Sequence, residues 1–81
     1  MLDQIKASKN VVGTKQTLKM IKGDNTKVVF LANDADKHII DNIEEFCKEK
    51  NIQIIYVNHM DDLGKACGIN RKTATAAILK E

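Results

Sequence analysis

Two runs of β-forming residues, Val28-Val29-Phe30-Leu31-Ala32 and residues 52–57, constrain this chain more than any other feature. Apolar runs this short, with little polar alternation, are the pattern of strands covered on both faces. Between them the period changes. Ile39, Ile40, Ile43, Phe46 and Cys47 fall on one helical face, and Asp41, Asn42, Glu44, Glu45, Lys48 and Glu49 on the other. A buried strand, an amphipathic helix and another buried strand ask for a layered α/β fold.

The flanking segments extend the alternation. Leu2 and Ile5, with Ser8 or Lys9 a turn later, predict a short first helix, and Val11-Val12 a small strand. A helix opened by Gly13 or Thr14 carries Leu18 and Ile21 inward and closes at Gly23, read as its C′ residue, with Asp24-Asn25 continuing the turn. Asn33-Asp34-Ala35-Asp36 is a polar turn in which Asp36 or Asp34 caps the next helix. Asn51 ends that helix. Asn58, with Asp61 three residues on, resembles a capping box for a fourth helix. Asp61 and Asp62 suit its positive start and Lys65 its end. Leu63, Ala66 and Cys67 form its apolar side, and Gly68 terminates it. A loop, Ile69-Asn70-Arg71-Lys72, leads to a last strand over residues 73–79. The order α-β-α-β-α-β-α-β points to a mostly parallel sheet with helices on both faces. At 81 residues this is one domain, 1–81, with one core.

Composition removes several function classes. Tyr56, Phe30 and Phe46 are the only aromatic residues, which weighs against proteins that stack single-stranded bases on aromatic platforms. No run approaches the ~18 apolar residues of a membrane span and the start lacks an apolar signal segment, so a cytoplasmic, membrane-free protein is expected, with a monomer the default for its size. Cys47 and Cys67 are expected as buried, reduced thiols rather than a disulfide or metal site. His38 and His59 read as exposed, helix-flanking residues. No phosphate-loop signature, metal-ligand cluster, or Ser/His/Asp or Cys/His set is present, and Asp34 and Asp36 read as turn and capping residues before acid–base catalysts. No enzyme, cofactor or metal is expected.

The net charge of +2 hides an asymmetry. Residues 1–23 carry five Lys against one Asp, residues 24–62 four Lys against nine acids, and residues 63–81 four Lys/Arg against one Glu. If the fold brings the two ends together, a basic face opposes an acidic one, which is an electrostatic footprint for a polyanion.

In open α/β sheets ligands gather at strand C-terminal ends. Three loops qualify: Val12-Gly13-Thr14-Lys15, Ala32-Asn33-Asp34-Ala35-Asp36 and Val57-Asn58-His59-Met60. The loop at residues 69–73 follows a helix, so ordinary geometry puts it at the opposite end, although a short fourth helix could return it to the same edge. Gly13 allows a tight strand-to-helix turn whose free amides favour phosphate. Lys15 and Gln16 are side chains suited to base edges, and Lys19 shares the face of Lys15. Asn70, Arg71 and Lys72 form a second basic loop, with Ile69 placed to cover an unstacked base. An A-form major groove is too narrow for side chains, so such readers need a distorted duplex.

Gly13-Thr14-Lys15-Gln16-Thr17-Leu18-Lys19, Leu31-Ala32-Asn33-Asp34-Ala35-Asp36 and Leu63-Gly64-Lys65-Ala66-Cys67-Gly68-Ile69 resemble the L-seven-Ae/L-thirty-e ribosomal protein family, in register over nearly the whole chain. The small bacterial members of the YbxF type carry the same Gly-Thr-Lys-Gln-Thr and Leu-Gly-Lys-Ala-Cys-Gly-Ile strings. The resemblance implies a three-layer α/β/α sandwich with a four-stranded mixed sheet. It also implies binding to the kink-turn, a bent RNA duplex with tandem sheared G·A pairs, in ribosomal or riboswitch-type RNA. Guanine reading then falls to Lys15 and Gln16 with Lys19 near, placed by Gly13 and Thr14. Ile69, Asn70 and Arg71, with Lys72, meet a flipped-out nucleotide, and Asp34 is counted with the RNA-facing residues. Archaeal and eukaryotic members usually have Asn-Glu where Lys15-Gln16 stand, Asp-Pro for Asp36-Lys37, and Leu/Ile-Glu-Val for Ile69-Asn70-Arg71. Losing that acid and gaining Arg71 favours phosphate contact. The competing reading is a small regulatory module that binds protein or nucleotide through the acidic helix face of residues 36–50.

Overall fold

A computed structural model describes residues 4–81, so the Leu2 position of the expected first helix lies outside the described residues. The elements run α1 (Gln4–Ala7), β1 (Asn10–Val12), α2 (Thr14–Lys22), β2 (Thr26–Ala32), α3 (Lys37–Lys50), β3 (Gln53–Val57), α4 (Met60–Ala66) and β4 (Thr75–Leu79). The four strands form one mixed sheet in the order β1-β4-β2-β3.

Alternation along the strands divides the core into two layers, because successive side chains point to opposite faces. Val28, Phe30 and Ala32 of β2 and Ala76 and Ile78 of β4 meet Ile5 of α1 and Leu63 of α4. Val29, Leu31, Ala77 and Leu79 meet Ile21 of α2 and Ile43 and Cys47 of α3. This is the three-layer α/β/α sandwich expected.

The mostly parallel sheet is corrected. Only β2 and β3 pair in parallel, while β4 lies antiparallel to both β1 and β2. The reason is the length of α4. Seven residues span only ~10 Å of helix, too little to carry the chain back along a five-residue strand of ~17 Å. The chain instead doubles back on α4. Ile69 N–H donates to the Gly64 carbonyl at 3.0 Å, and Thr73 N–H reaches the Met60 carbonyl at 3.2 Å. It is then at the edge from which α4 started, and β4 can only run the other way.

Two strands differ from expectation, β3 in its burial and β4 in its start. β3 is an edge strand, with Val57 its one fully buried residue and Tyr56 50% exposed. β4, which begins at Thr75 rather than at residue 73, is central and buried throughout.

Helix ends also differ in detail. Gly23 closes α2 with an ordinary φ of −86°, and Asp24 takes the left-handed position (φ 58°). Asp24 N–H bonds the Ile21 carbonyl and Asn25 N–H the Met20 carbonyl, the paired 5→2 and 6→1 bonds of a Schellman ending. Asp36 caps α3 by accepting from His38 N–H at 2.9 Å, and Asn51 ends it at φ 57°. The capping box expected from Asn58 is absent, since α4 starts at Met60 with no cap from its own N-cap side chain. Asp34 does that work from the β2–α3 turn, accepting from Met60 N–H at 2.8 Å.

Candidate nucleic-acid interface

The antiparallel course of β4 decides where the basic loops meet. The C-terminal ends of β1, β2 and β3 share one sheet edge with the N-terminal end of β4. Three bonds mark that edge in sheet order. Gly13 N–H donates to the Thr75 carbonyl at 2.9 Å, Ala32 N–H to Ala74 at 2.8 Å, and Asn33 N–H to Val57 at 2.8 Å. The β1–α2 turn and the loop before β4 are therefore neighbours, a placement left open by local patterns.

Gly13 has φ 102° and ψ 157°, a region essentially restricted to glycine. Nothing stands within 4 Å of a Cβ built there, so backbone conformation rather than space demands the glycine. Its carbonyl accepts from Thr17 N–H at 3.0 Å and opens α2 without a side-chain cap. The amides of Thr14, Lys15 and Gln16 are thus the helix's free donors, with the positive dipole end behind them. Thr17 and Ile21 are buried one turn apart and fix the inner face of α2. Lys15, Gln16 and Lys19 consequently stand exposed, and Thr14 is half-buried. Lys22, by contrast, lies over the Phe46 ring at 5.1 Å and belongs to the α2–α3 contact.

The second loop is held by Gly64. A Cβ there would lie 1.9 Å from the Arg71 carbonyl oxygen, so Arg71 backbone occupies the place of a side chain on α4. Gly68, with φ 79°, turns the chain out of the helix. Ile69 is half-buried, and Asn70, Arg71 and Lys72 are exposed. With Asp61 and Lys65 of α4 they line an open groove of about 600 Å³. Asp34 sits at the same edge as a tie, one oxygen on Met60 N–H and the other 3.7 Å from His59 Nδ1.

Sequence patterns found both loops but not Gly64, Asp61 and Lys65 as parts of the second. The available signal was a glycine inside a seven-residue helix. Such a residue costs about 1 kcal/mol against alanine and asks for a packing reason.

Neither thiol is poised for chemistry. Burial pushes the Cys47 thiol from 9.0 to about 11 and raises that of Cys67, and both cysteines are free. Cys67 is only half-buried, less than expected. Both histidines are exposed. On the outer face of α3, Asp41 pairs with Lys37 at 3.3 Å and Glu44 accepts from the Tyr56 hydroxyl. Those acids are partly satisfied within the molecule.

The sequence pattern of the ribosomal protein L7Ae/L30e/S12e/Gadd45 family matches residues 2–81. The chain belongs to that family. It is 46% identical over 69 residues to "RNA-binding protein TTE2299" of Caldanaerobacter subterraneus, covering 85% of this chain and 84% of that one. "RNA-binding protein YbxF" of Geobacillus stearothermophilus is 40% identical over 76 residues, covering 94% and 93%. Among solved structures, the "Giardia lamblia 15.5kD RNA binding protein" superposes with a TM-score of 0.90 at 25% identity, over 99% of this chain and 71% of that one. The family fold is thus shared across a wide sequence distance.

Proposed function

We propose that this chain is a non-catalytic RNA-binding protein that recognises the kink-turn, in ribosomal or riboswitch-type RNA of the cytoplasm. One observation carries the reading: the Gly13–Thr75 bond and the antiparallel β4 set the two basic loops on one edge. RNA-binding relatives over nearly the full length support the ligand class. Free amides at the start of α2 suit a backbone phosphate while Lys15 and Gln16 reach guanine edges in a groove opened by the bend. Ile69 covers a base that the bend expels, and Arg71 and Lys72 neutralise the phosphates beside it.

The test is a titration of the protein with a kink-turn duplex and with the same duplex whose sheared G·A pairs are replaced by Watson–Crick pairs. Micromolar or tighter binding is expected for the first and its loss for the second. Equal affinities would sink the reading. Lys15→Ala combined with Gln16→Ala should cost about 1–3 kcal/mol per lost base contact. Arg71→Ala should weaken all RNAs more evenly and make the salt dependence shallower.

A further inference from the structure

The end of the sheet opposite the two basic loops carries cations of its own. Backbone bonds set three segments side by side there, in the strand order β1, β4, β2. Leu79 N–H donates to the Lys9 carbonyl at 2.8 Å, and Lys80 N–H to the Asn25 carbonyl at 2.8 Å. The turn before β1 is held by Asn10, whose side-chain amide donates to the Ile5 and Ser8 carbonyls, both at 2.8 Å. Lys27 arrives by a β-bulge. Thr26 pairs with Leu79 and Val28 with Ile78, so Lys27 is an extra residue opposite two adjacent positions of β4. β3 does not reach it, because its pairing with β2 begins at Val28. Lys27 is thereby turned out of a strand in which every other residue is buried. Neighbouring strands lie ~4.8 Å apart, so the backbones of Lys9, Lys80 and Lys27 span only ~10 Å.

All three lysines are exposed, and among the described residues no ion pair within 4 Å engages them. Asp24, close to Lys27 in the chain, is held by Lys50 at 3.0 Å, which leaves Glu81 as the carboxylate next to Lys80. A lysine ammonium is a compact point charge that meets phosphate without reading a base. The centre of a protein–protein interface asks instead for aromatic or apolar side chains. Tyr56, the exposed large hydrophobic residue among those described, lies towards the other end of β3. Between Thr75 at the loop end and Leu79 at this one, β4 runs five residues, or ~17 Å. The sandwich stands between the two ends, so a duplex docked on the basic loops does not cover these lysines.

We propose that Lys9, Lys27 and Lys80 form a second, sequence-independent RNA surface, which takes the phosphate backbone of another helix while the loop edge holds the first. The protein then bridges two RNA segments, of which only one has a kink-turn. The inference goes beyond the kink-turn reading and does not depend on it, because the ligand here is a run of phosphates.

The experiment saturates the full chain with a kink-turn duplex and then adds a plain, unbent RNA duplex at low salt. Amide NMR shifts are expected at residues 8–10, 25–28 and 79–80, with residues 13–19 and 69–72 unmoved by the second RNA. The affinity for the plain duplex, read by fluorescence anisotropy, should fall with salt at a slope of about −2.1 to −2.7 on a logarithmic plot if each lysine neutralises one phosphate. Combining Lys9→Gln, Lys27→Gln and Lys80→Gln should weaken the plain duplex about tenfold and leave the kink-turn duplex within twofold. A triple variant that binds the plain duplex as well as the wild-type chain does, or no shifts at the three segments, would overturn the proposal. So would equal affinity for polyglutamate, which would make this a general anion surface and not an RNA site. Should no kink-turn duplex bind, the kink-turn reading alone fails. The same shifts, slope and variant are then read with the plain duplex by itself, and they decide the proposal in the same way.

Discussion

Two glycines beside the paired basic loops are required for opposite reasons, and substitution separates them. At Gly13 there is room for a side chain but the backbone is in glycine-only territory. Gly13→Ala should therefore cost about 1–3 kcal/mol in urea unfolding and disturb the start of α2. At Gly64 a Cβ would strike the Arg71 carbonyl at 1.9 Å. Gly64→Ala should cost a comparable ~1–3 kcal/mol by overpacking, with hydrogen exchange quickening at residues 69–73 while α2 stays protected. The buried Cys47 gives a pH signature. Its folded-state value of about 11 lies above the 9.0 of an exposed thiol, so the folded state holds the proton more tightly. That contribution is complete below pH 9 and is lost as pH rises towards 11. Unfolding curves of Cys47→Ala should start lower, for the cavity, and fall less steeply over that window.

At the scale of elements, the helix endings were legible in kind but not in detail. The Gly23-Asp24-Asn25 string announced a stop, and glycine was the natural choice for the left-handed place. The chain puts Asp24 there, where its carboxylate reaches Lys50 at 3.0 Å across the α2–α3 layer. Gly23, at φ −86° and with room for a Cβ 3.4 Å from the Lys19 carbonyl oxygen, has no need to be glycine. Gly23→Ala should thus stabilise by about 0.4–1 kcal/mol through the unfolded chain, measurable as a higher urea midpoint at unchanged slope. The strands and helices themselves, and both binding strings, could be read from apolar period and turn residues. The direction of β4 could not. Its residues, Thr75-Ala76-Ala77-Ile78-Leu79, say that helices approach closely on both faces, but strand pairing is a long-range choice that a local pattern does not encode. Asp34 was ambiguous for the same reason. Its partner, Met60 N–H, is 26 residues away.

Across the whole molecule the fold converts a sequence asymmetry into a spatial one. The basic segments at the two chain ends meet because β1 and β4 are neighbours, while four of the acids, Asp41, Glu44, Glu45 and Glu49, stand on α3. If Lys19, Arg71 and Lys72 each neutralise one phosphate, the logarithm of RNA affinity should fall with the logarithm of salt at a slope no steeper than about −2.7. A steeper measured slope would show that further cations join the contact. Neutralising Glu45 and Glu49 on the far side should leave that slope unchanged, because screening at 0.15 M salt acts within ~8 Å.

The Gly13–Thr75 bond also sets an order of events during synthesis. Thr75 belongs to the strand that a ribosome makes last of the four, yet that strand lies between the first and the second. A nascent chain stopped before residue 75 has the Lys15-Gln16 string and the Arg71-Lys72 loop in its sequence, but nothing to bring them to one edge. Competence to bind is therefore acquired in a single late step rather than gradually. Unfinished copies of this protein should not compete with finished ones for RNA.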